Sequence, residues 1–467
     1  MRIQFRPTLL LLLLSVVTLS NCEKDPASGA QQNDEFLDEN TWINDLMSSY
    51  YYWNNNVPDE IPGDTDPEIY FEGMLESSDI FSYIRDDAAT YLEELNGVSY
   101  TAGYSPAFGR FSGSDDVFII VEFVYPGSPA DSAGLERGDI ILEINNSPLT
   151  IYNYLDLYYA SGTSVLTLGQ ANYNTETGGY SIGLTGTQVS VVKDELTLDP
   201  VVHTATVDTA GHKIGYLFYA RFLVGETSEF ITSLNNALES LKTEGVTDLV
   251  VDLRYNPGGR VDAATSFANI LAPEEQTQNE DVFVSYKYNT LYQNYLIDQY
   301  GLDSDYLYTR FSTPEVSMGL DAVYFLTTNS SASASELLIN GLTPYMDVYQ
   351  IGTNTYGKFY GAYVFSGTDA SPSHNYLIAP VSLKYANSIG TTDFVDGLDP
   401  DFEVDEDILS PEPIGDAADP LFATAIEHIL TGNVTAKMAK IRKADNLELL
   451  PDHYSLQRGN IFEIKRH

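Results

Sequence analysis

Residues 329–358 constrain this chain more than any other stretch. They open with Asn329-Ser330-Ser331-Ala332-Ser333-Ala334-Ser335-Glu336 and close with Thr355-Tyr356-Gly357-Lys358. The preceding run Val323-Tyr324-Phe325-Leu326 is apolar and β-favouring, so it reads as a buried strand. Leu337, Leu338 and Leu342 then fall close to helical spacing, which puts the serines at a strand-to-helix turn. Unpaired N–H groups at a helix start favour negative charge, and such charge develops when a hydroxyl attacks a carbonyl.

A serine hydroxyl is a weak nucleophile until a base takes its proton. No histidine lies between Ser330 and Lys358, and the whole chain has six. Lys358 is the other candidate, following a short strand-like run (348–351) and a Gly-bearing turn. To serve as a base its pKa must fall from about 10.4 to roughly 7–8, through burial. The flanking Tyr356, Phe359 and Tyr360 can supply that burial. Residues 352–358 also match the start of a phosphate-binding loop. Phe359 stands where a magnesium-binding hydroxyl is needed, and 360–365 reads as strand rather than helix, so nucleotide binding is disfavoured.

Ser-Ala-Ser-Glu from Ser333, followed by Tyr-Gly-Lys ending at Lys358, resembles the C-terminal processing peptidases, Ser/Lys serine proteases of the S41 type. The resemblance implies Ser333 as nucleophile and Lys358 as general base. A second motif, Asp252-Leu253-Arg254-Tyr255-Asn256-Pro257-Gly258-Gly259, follows an apolar run (249–253) and precedes a helical pattern over 261–271. Adjacent glycines let a backbone approach a substrate carbonyl unobstructed. In the family, the second glycine's N–H and the N–H after the nucleophile hold the oxyanion, which here implies Gly259 and Ala334. Asp252 and Arg254 read as braces of that loop. The family often carries a Gln four residues after the lysine; this chain has Ala362. No metal or organic cofactor is implied.

The stretch from Phe118 to Asn145, with Pro126-Gly127-Ser128-Pro129-Ala130, Ala133-Gly134-Leu135 and Gly138-Asp139-Ile140, resembles a PDZ domain. Its second helix falls at 152–159 and a closing strand at 165–168. Such a domain adds an extended peptide to a sheet edge and holds a terminal carboxylate on backbone N–H groups. The resemblance puts that loop before the Phe118 strand, in an irregular 103–111 segment, with Gly109, Arg110 and Phe111 as peptide-binding candidates.

The chain's 23 basic against 67 acidic residues give a net charge of −44, which disfavours nucleic acid and anionic membrane surfaces as partners. Arg2, Arg6 and a short apolar run read as a targeting segment over 1–22. It ends Leu19-Ser20-Asn21-Cys22, resembling a bacterial lipobox, with Cys22 as lipidation site and sole cysteine.

The expected architecture is multidomain α+β: a helical cap, a PDZ-like β-rich domain, and an α/β protease core whose sheet is flanked by helices. The boundaries are 1–22 signal, 23–35 tether, 36–97 cap, 98–195 PDZ-like, 196–435 core and 436–467 tail. The cap's first helix is expected to run on through Trp53 to a stop near Pro58. Residues 273–318 read as a surface insertion. The tail carries seven Lys/Arg against four Asp/Glu. The resemblance implies an envelope serine endopeptidase, lipid-anchored on the periplasmic side or at the outer membrane, that binds polypeptide C-terminal tails and cleaves them through an acyl-enzyme. The alternative is a peptide-binding scaffold on the same fold whose catalytic core has weakened.

Overall fold

The computed structural model describes residues 34–176, 179–434 and 447–450, with the backbone of 462–464. The signal and lipobox expectation, including Cys22, lies outside the described residues, as does most of the tail. Among the described residues no helix is long and apolar enough to cross a membrane.

Two sheets build the core. The first runs Val201–Thr209, His212–Tyr219, Asp248–Asp252, Ala322–Thr327, Asp347–Gly352 and Phe402–Glu403 in spatial order. Its first pair is antiparallel and the remaining pairs are parallel. Parallel strands are covered on both faces, so they read as unbroken apolar runs. Alternation decides which layer each residue joins. Leu249, Val251, Val323 and Phe325 pack with the helices Glu229–Thr243, Val261–Leu271 and Ala334–Leu342. Val250, Tyr324 and Leu326 face the helix Pro420–Thr431 through Leu421, Phe422 and Ala425. The Glu229 helix docks by the stripe Phe230, Leu234, Leu238 and Leu241, spaced for one face.

The second sheet orders Tyr83–Arg85, Leu377–Ala379, Tyr360–Ser366, Val381–Asn387, Val282–Tyr288 and Tyr308–Arg310, and the backbone of Phe462–Ile464 pairs in parallel with Tyr360–Ser366. This corrects the surface-insertion expectation for 273–318. Val282–Tyr288 lies inside this sheet, and Phe283, Val284, Tyr288, Leu296 and Phe311 are buried in the main core. The acidic residues here all lie off the two strands, and Phe283, Tyr288, Tyr292 and Phe311 are buried.

The cap does not stand apart either. Its helix Leu37–Tyr50 buries Ile43 and Met47 against the same core, and Tyr83–Arg85 supplies an edge strand. The helix stops at Tyr50, not near Pro58, because the chain turns extended at Tyr51 and the Tyr52 N–H docks on the Val381 carbonyl.

The β-rich domain holds a seven-stranded sheet and its own apolar cluster around Phe108, Ile119, Val121, Ile141 and Leu166. The segment expected to be irregular is the regular strand Tyr104–Phe111, paired antiparallel with Phe118–Val124 past one bulge at Ser105 and Pro106. The closing strand extends over Thr163–Asn174 and folds back as Gly179–Val192, a hairpin longer than the expected 165–168. Val98–Thr101 pairs with Asp194–Thr197, so the domain's entry and exit lie side by side.

Candidate active site

Ala322–Thr327 delivers the serine turn, and Ser333 becomes the N-cap of the helix Ala334–Leu342. Ser333 has φ 61°, a left-handed conformation that costs a residue with a Cβ and survives only where the surroundings enforce it. The enforcement is visible. Glu336 Oε2 accepts the Ser333 N–H at 2.6 Å, and the Ala332 N–H donates to the Asn256 carbonyl at 3.1 Å. Ser331 Oγ donates to the Leu253 carbonyl at 2.7 Å and Ser335 Oγ to the Asn256 carbonyl at 3.1 Å. Ser333 itself is fully buried, and its Oγ has no hydrogen-bond partner among the described residues. The serine cluster thus divides labour: its neighbours brace the turn, and Ser333 keeps an uncommitted hydroxyl.

The Gly-Gly loop is fastened from behind. Asn256 Nδ2 donates to the Tyr219 carbonyl at 2.7 Å and its Oδ1 accepts the Gly258 N–H at 2.8 Å. Below it, Arg254 is buried with Asp252, Asp419 and Glu406. Burial works against its charge, but those carboxylates outweigh it and hold the guanidinium protonated. Gly258 lies against the serine turn: a Cβ there would sit 2.8 Å from Ser333 Cβ and 2.9 Å from the Ala334 nitrogen. At Gly259, φ 139°, a Cβ would collide with the Phe222 carbonyl at 2.1 Å. The Gly259 and Ala334 N–H groups have no acceptor among the described residues.

Lys358 is wholly buried. Burial lowers its pKa to about 7, with Asp79 and Glu336 pulling the other way. The ring over its Nζ, at 5.0 Å to the centroid, is Phe81 from the cap segment, not one of the flanking aromatics. Tyr356 and Tyr360 instead buttress Phe81, at 6.3 and 6.2 Å. Asp79, two residues earlier, accepts from Tyr51 Oη at 2.9 Å and from the Phe81 and Ser82 N–H groups at 2.9 and 3.0 Å. Nothing in the sequence pattern marked Asp79 or Phe81, because both arrive from a segment some 250 residues upstream of the motif they roof.

Glu336 ties serine and lysine together. Its Oε1 accepts from Thr355 Oγ1 and the Gly357 N–H, both at 2.6 Å, while Oε2 accepts the Ser333 and Lys358 N–H groups at 2.6 and 2.9 Å. Burial still pushes its carboxyl up to about 7, against those four donors. From the other side, Tyr385 Oη reaches the Ser333 carbonyl at 3.2 Å and the Lys358 carbonyl at 2.9 Å. One carboxylate and one phenol therefore fix the backbones of Ser333 and Lys358 to each other. The last letter of Ser-Ala-Ser-Glu was the available signal for Glu336. In Glu336→Gln an NH₂ group must face at least one backbone N–H. The expected loss is about 1–3 kcal/mol, read as a lower unfolding temperature.

Ala362 is buried on the strand Tyr360–Ser366 and lines a cavity of about 500 Å³ with Arg260, Thr265, Tyr286 and Leu383; neither Ser333 nor Lys358 lines it. Gly109, Arg110 and Phe111 lie apart from this centre, on the strand Tyr104–Phe111 of the β-rich domain. Among the described residues no cluster of three or more His, Cys, Asp or Glu is placed to hold a metal.

A strained, buried serine beside glycine N–H groups, sharing a carboxylate with a buried lysine, on a mixed α/β core carrying a β-rich domain, defines the class: a serine-peptidase fold. The family models agree in three segments. Residues 213–404 match peptidase family S41, 38–83 the peptidase S41 N-terminal domain and 120–168 the PDZ domain. The chain belongs to peptidase family S41. It is 25% identical over 355 residues to the chloroplastic C-terminal processing peptidase of Tetradesmus obliquus, covering 73% of this chain and 66% of that one. It is 25% identical over 347 residues to the carboxyl-terminal-processing protease of a Synechocystis species, covering 73% and 70%. The chain thus spans about two thirds of the length of these relatives. A solved structure from Bacteroides fragilis assigned to S41 proteases aligns at TM-score 0.68 and 26% identity, over 84% of this chain and 97% of that one.

Proposed function

We propose that this chain is a serine endopeptidase that grips extended polypeptide tails and cuts them by a Ser/Lys acyl-enzyme route. One observation carries the reading: Ser333, with its unpaired Oγ, and Lys358, held near neutrality by burial, hang from the same Glu336 carboxylate. Lys358 Nζ takes the Oγ proton as Oγ bonds to the scissile carbonyl carbon. The oxyanion rests on the Gly259 and Ala334 N–H groups, each such donor contributing about 3–4 kcal/mol. The tetrahedral species collapses as Lys358 returns the proton to the departing amine, leaving an ester on Ser333. Water then attacks that ester, its proton passing to Lys358 and on to Ser333 Oγ. Mass spectrometry of fragments from a folded test protein bearing an unstructured C-terminal extension tests this. Cleavage within the extension is expected, and an intact substrate at every pH from 6 to 9 would refute it.

With Ala362 in place of the family's Gln, other groups must help to aim Lys358. Asp79 fits, as a buried carboxylate anchored by four donors and attracting the lysine's charge. Because Asp79 raises the Lys358 pKa, Asp79→Asn is expected to move the acid limb of the kcat profile to lower pH, by up to about one unit. A merely structural Asp79 would lower activity without moving that limb.

The same Ala362 favours a second reading, a tail-binding scaffold with weakened chemistry. A panel of serine-directed covalent probes separates the two, with Ser333→Ala as control; labelling of Ser333 supports the peptidase. We place the protein in the cell envelope, tethered by a lipid on Cys22, on the strength of the 1–22 pattern. Solubilisation of Cys22→Ala on cell fractionation tests that placement.

A further inference from the structure

The outer edge of the β-rich sheet is occupied by the chain itself. Leu447–Leu450, from the basic segment that follows the last helix, pairs antiparallel with Tyr104–Phe111, in the register Leu447 to Phe111, Glu448 to Arg110, Leu449 to Gly109 and Leu450 to Phe108. Sheet edges are where extended peptides add to such domains. The side chains make this more than backbone pairing. Arg110 Nε donates to Glu448 Oε2 at 2.8 Å and Ser112 Oγ to Glu448 Oε1 at 2.6 Å. Ser112 and Arg110 together hold the Glu448 carboxyl below the usual carboxylate range. Two positions on, Leu450 packs on the cluster that contains Phe108 and Tyr154, the latter on the helix Tyr154–Tyr159. On the opposite face Leu447 fits over Gly109, where a Cβ would stand 3.2 Å from its Cδ1. The bare glycine leaves room first for the Phe118 ring, which a Cβ would meet at 2.8 Å, and next for this occupant.

We infer that the edge of Tyr104–Phe111 is a docking surface for extended segments of the pattern aliphatic–acidic–any–aliphatic, and that the chain's own Leu447–Leu450 holds it in cis, so that an incoming tail must displace it. Arg110 and Ser112 select the acidic position, the Phe108–Tyr154 face selects the second aliphatic one, and Gly109 accommodates the first. Within the peptidase reading above, this names the preferred substrate tails, and only that catalytic consequence rests on that reading.

Binding can be read without turnover, in the full chain carrying Ser333→Ala. The probe is a fluorescein-labelled peptide Asn-Leu-Glu-Leu-Leu-Pro-Asp, the sequence of residues 446–452. An intramolecular strand competes at high effective concentration, so Leu447→Asp with Leu450→Asp, which frees the edge, is expected to tighten peptide binding by about tenfold or more. Adding Arg110→Glu weakens it about fivefold, and a peptide with Lys at the Glu position regains the loss. Equal affinity of the parent and the freed chain overturns the cis occupancy, and indifference to Arg110→Glu overturns the acidic preference. Hydrogen exchange at Tyr104–Phe111 gives a second reading that survives poor folding of one variant. It should be slow in the parent, faster in the freed chain and slow again with peptide. Exchange alike in all three overturns the proposal, and protection that grows with protein concentration assigns the strand to a second copy and overturns the cis arrangement. A chain that docks the peptide yet cleaves nothing refutes the peptidase reading alone.

Discussion

Ser333→Ala is expected to lower turnover of a tailed substrate by about 10³- to 10⁶-fold, the range for loss of a nucleophile, without lowering the unfolding temperature. The second half discriminates. A serine at a helix start whose hydroxyl caps the helix costs about 1 kcal/mol when changed to alanine. Here the buried Oγ faces the Glu336 N–H across a capping box without forming a well-made hydrogen bond, and Glu336 in return caps the Ser333 amide. Alanine carries the same penalty at φ 61° and removes a buried hydroxyl that lacks a partner. The substitution should therefore be neutral or stabilising, by up to about 1 kcal/mol. Thermal unfolding beside fragment mass spectrometry reads both halves. A variant that loses stability and keeps activity would return Ser333 to the role of a plain cap.

The parts of this fold legible in sequence are those where one short pattern has one physical solution. Leu249-Val250-Val251 and Val323-Tyr324-Phe325-Leu326 are apolar without interruption because both sheet faces are covered, and each runs into a turn whose residues announce themselves. The stripe Phe230, Leu234, Leu238 and Leu241 identifies its helix for the same reason. Residues 282–288 defeat such reading, since Val-Phe-Val-Ser-Tyr-Lys-Tyr mixes polar and aromatic side chains and lies in an acidic, tyrosine-rich context. Its pairing with Val381–Asn387 on one side and Tyr308–Arg310 on the other makes it a strand. Tyr104–Phe111 is concealed by Pro106 and Gly109, which weaken a strand unless it lies near an edge or at a bulge. At the site, motif residues were readable and their supports were not. Ser333, Lys358 and Gly259 stand in recognisable strings, whereas Phe81, Asp79 and Tyr385 reach the centre from other elements.

Lys358→Met is expected to abolish cleavage and yet stabilise the protein at neutral and acid pH. A methionine of similar length can fill the space beneath Phe81, but it cannot take a proton. The stability sign follows from linkage. Lys358 has a folded pKa near 7 against an ordinary 10.5, so between those values the unfolded chain binds more protons and stability rises with pH. Below about pH 7 the parent bears the full cost of the buried charge, about 5 kcal/mol, which fades as pH climbs toward 10.5. The gap in unfolding temperature between Lys358→Met and the parent should thus be largest near pH 6 and shrink by pH 9. Glu336 titrates with the opposite sign, losing stability between 4.5 and about 7. Both proteins share it, so the difference between them reports the lysine together with its coupling to Glu336. Parent activity should rise with pH through about 7 and then level, as the amine becomes neutral. Lys358→Arg completes the set. It keeps a charge that cannot be shed in the buried site, so it should lose both activity and stability. Cleavage retained by Lys358→Met, or a stability gap that does not change from pH 6 to 9, would remove Lys358 from the chemistry.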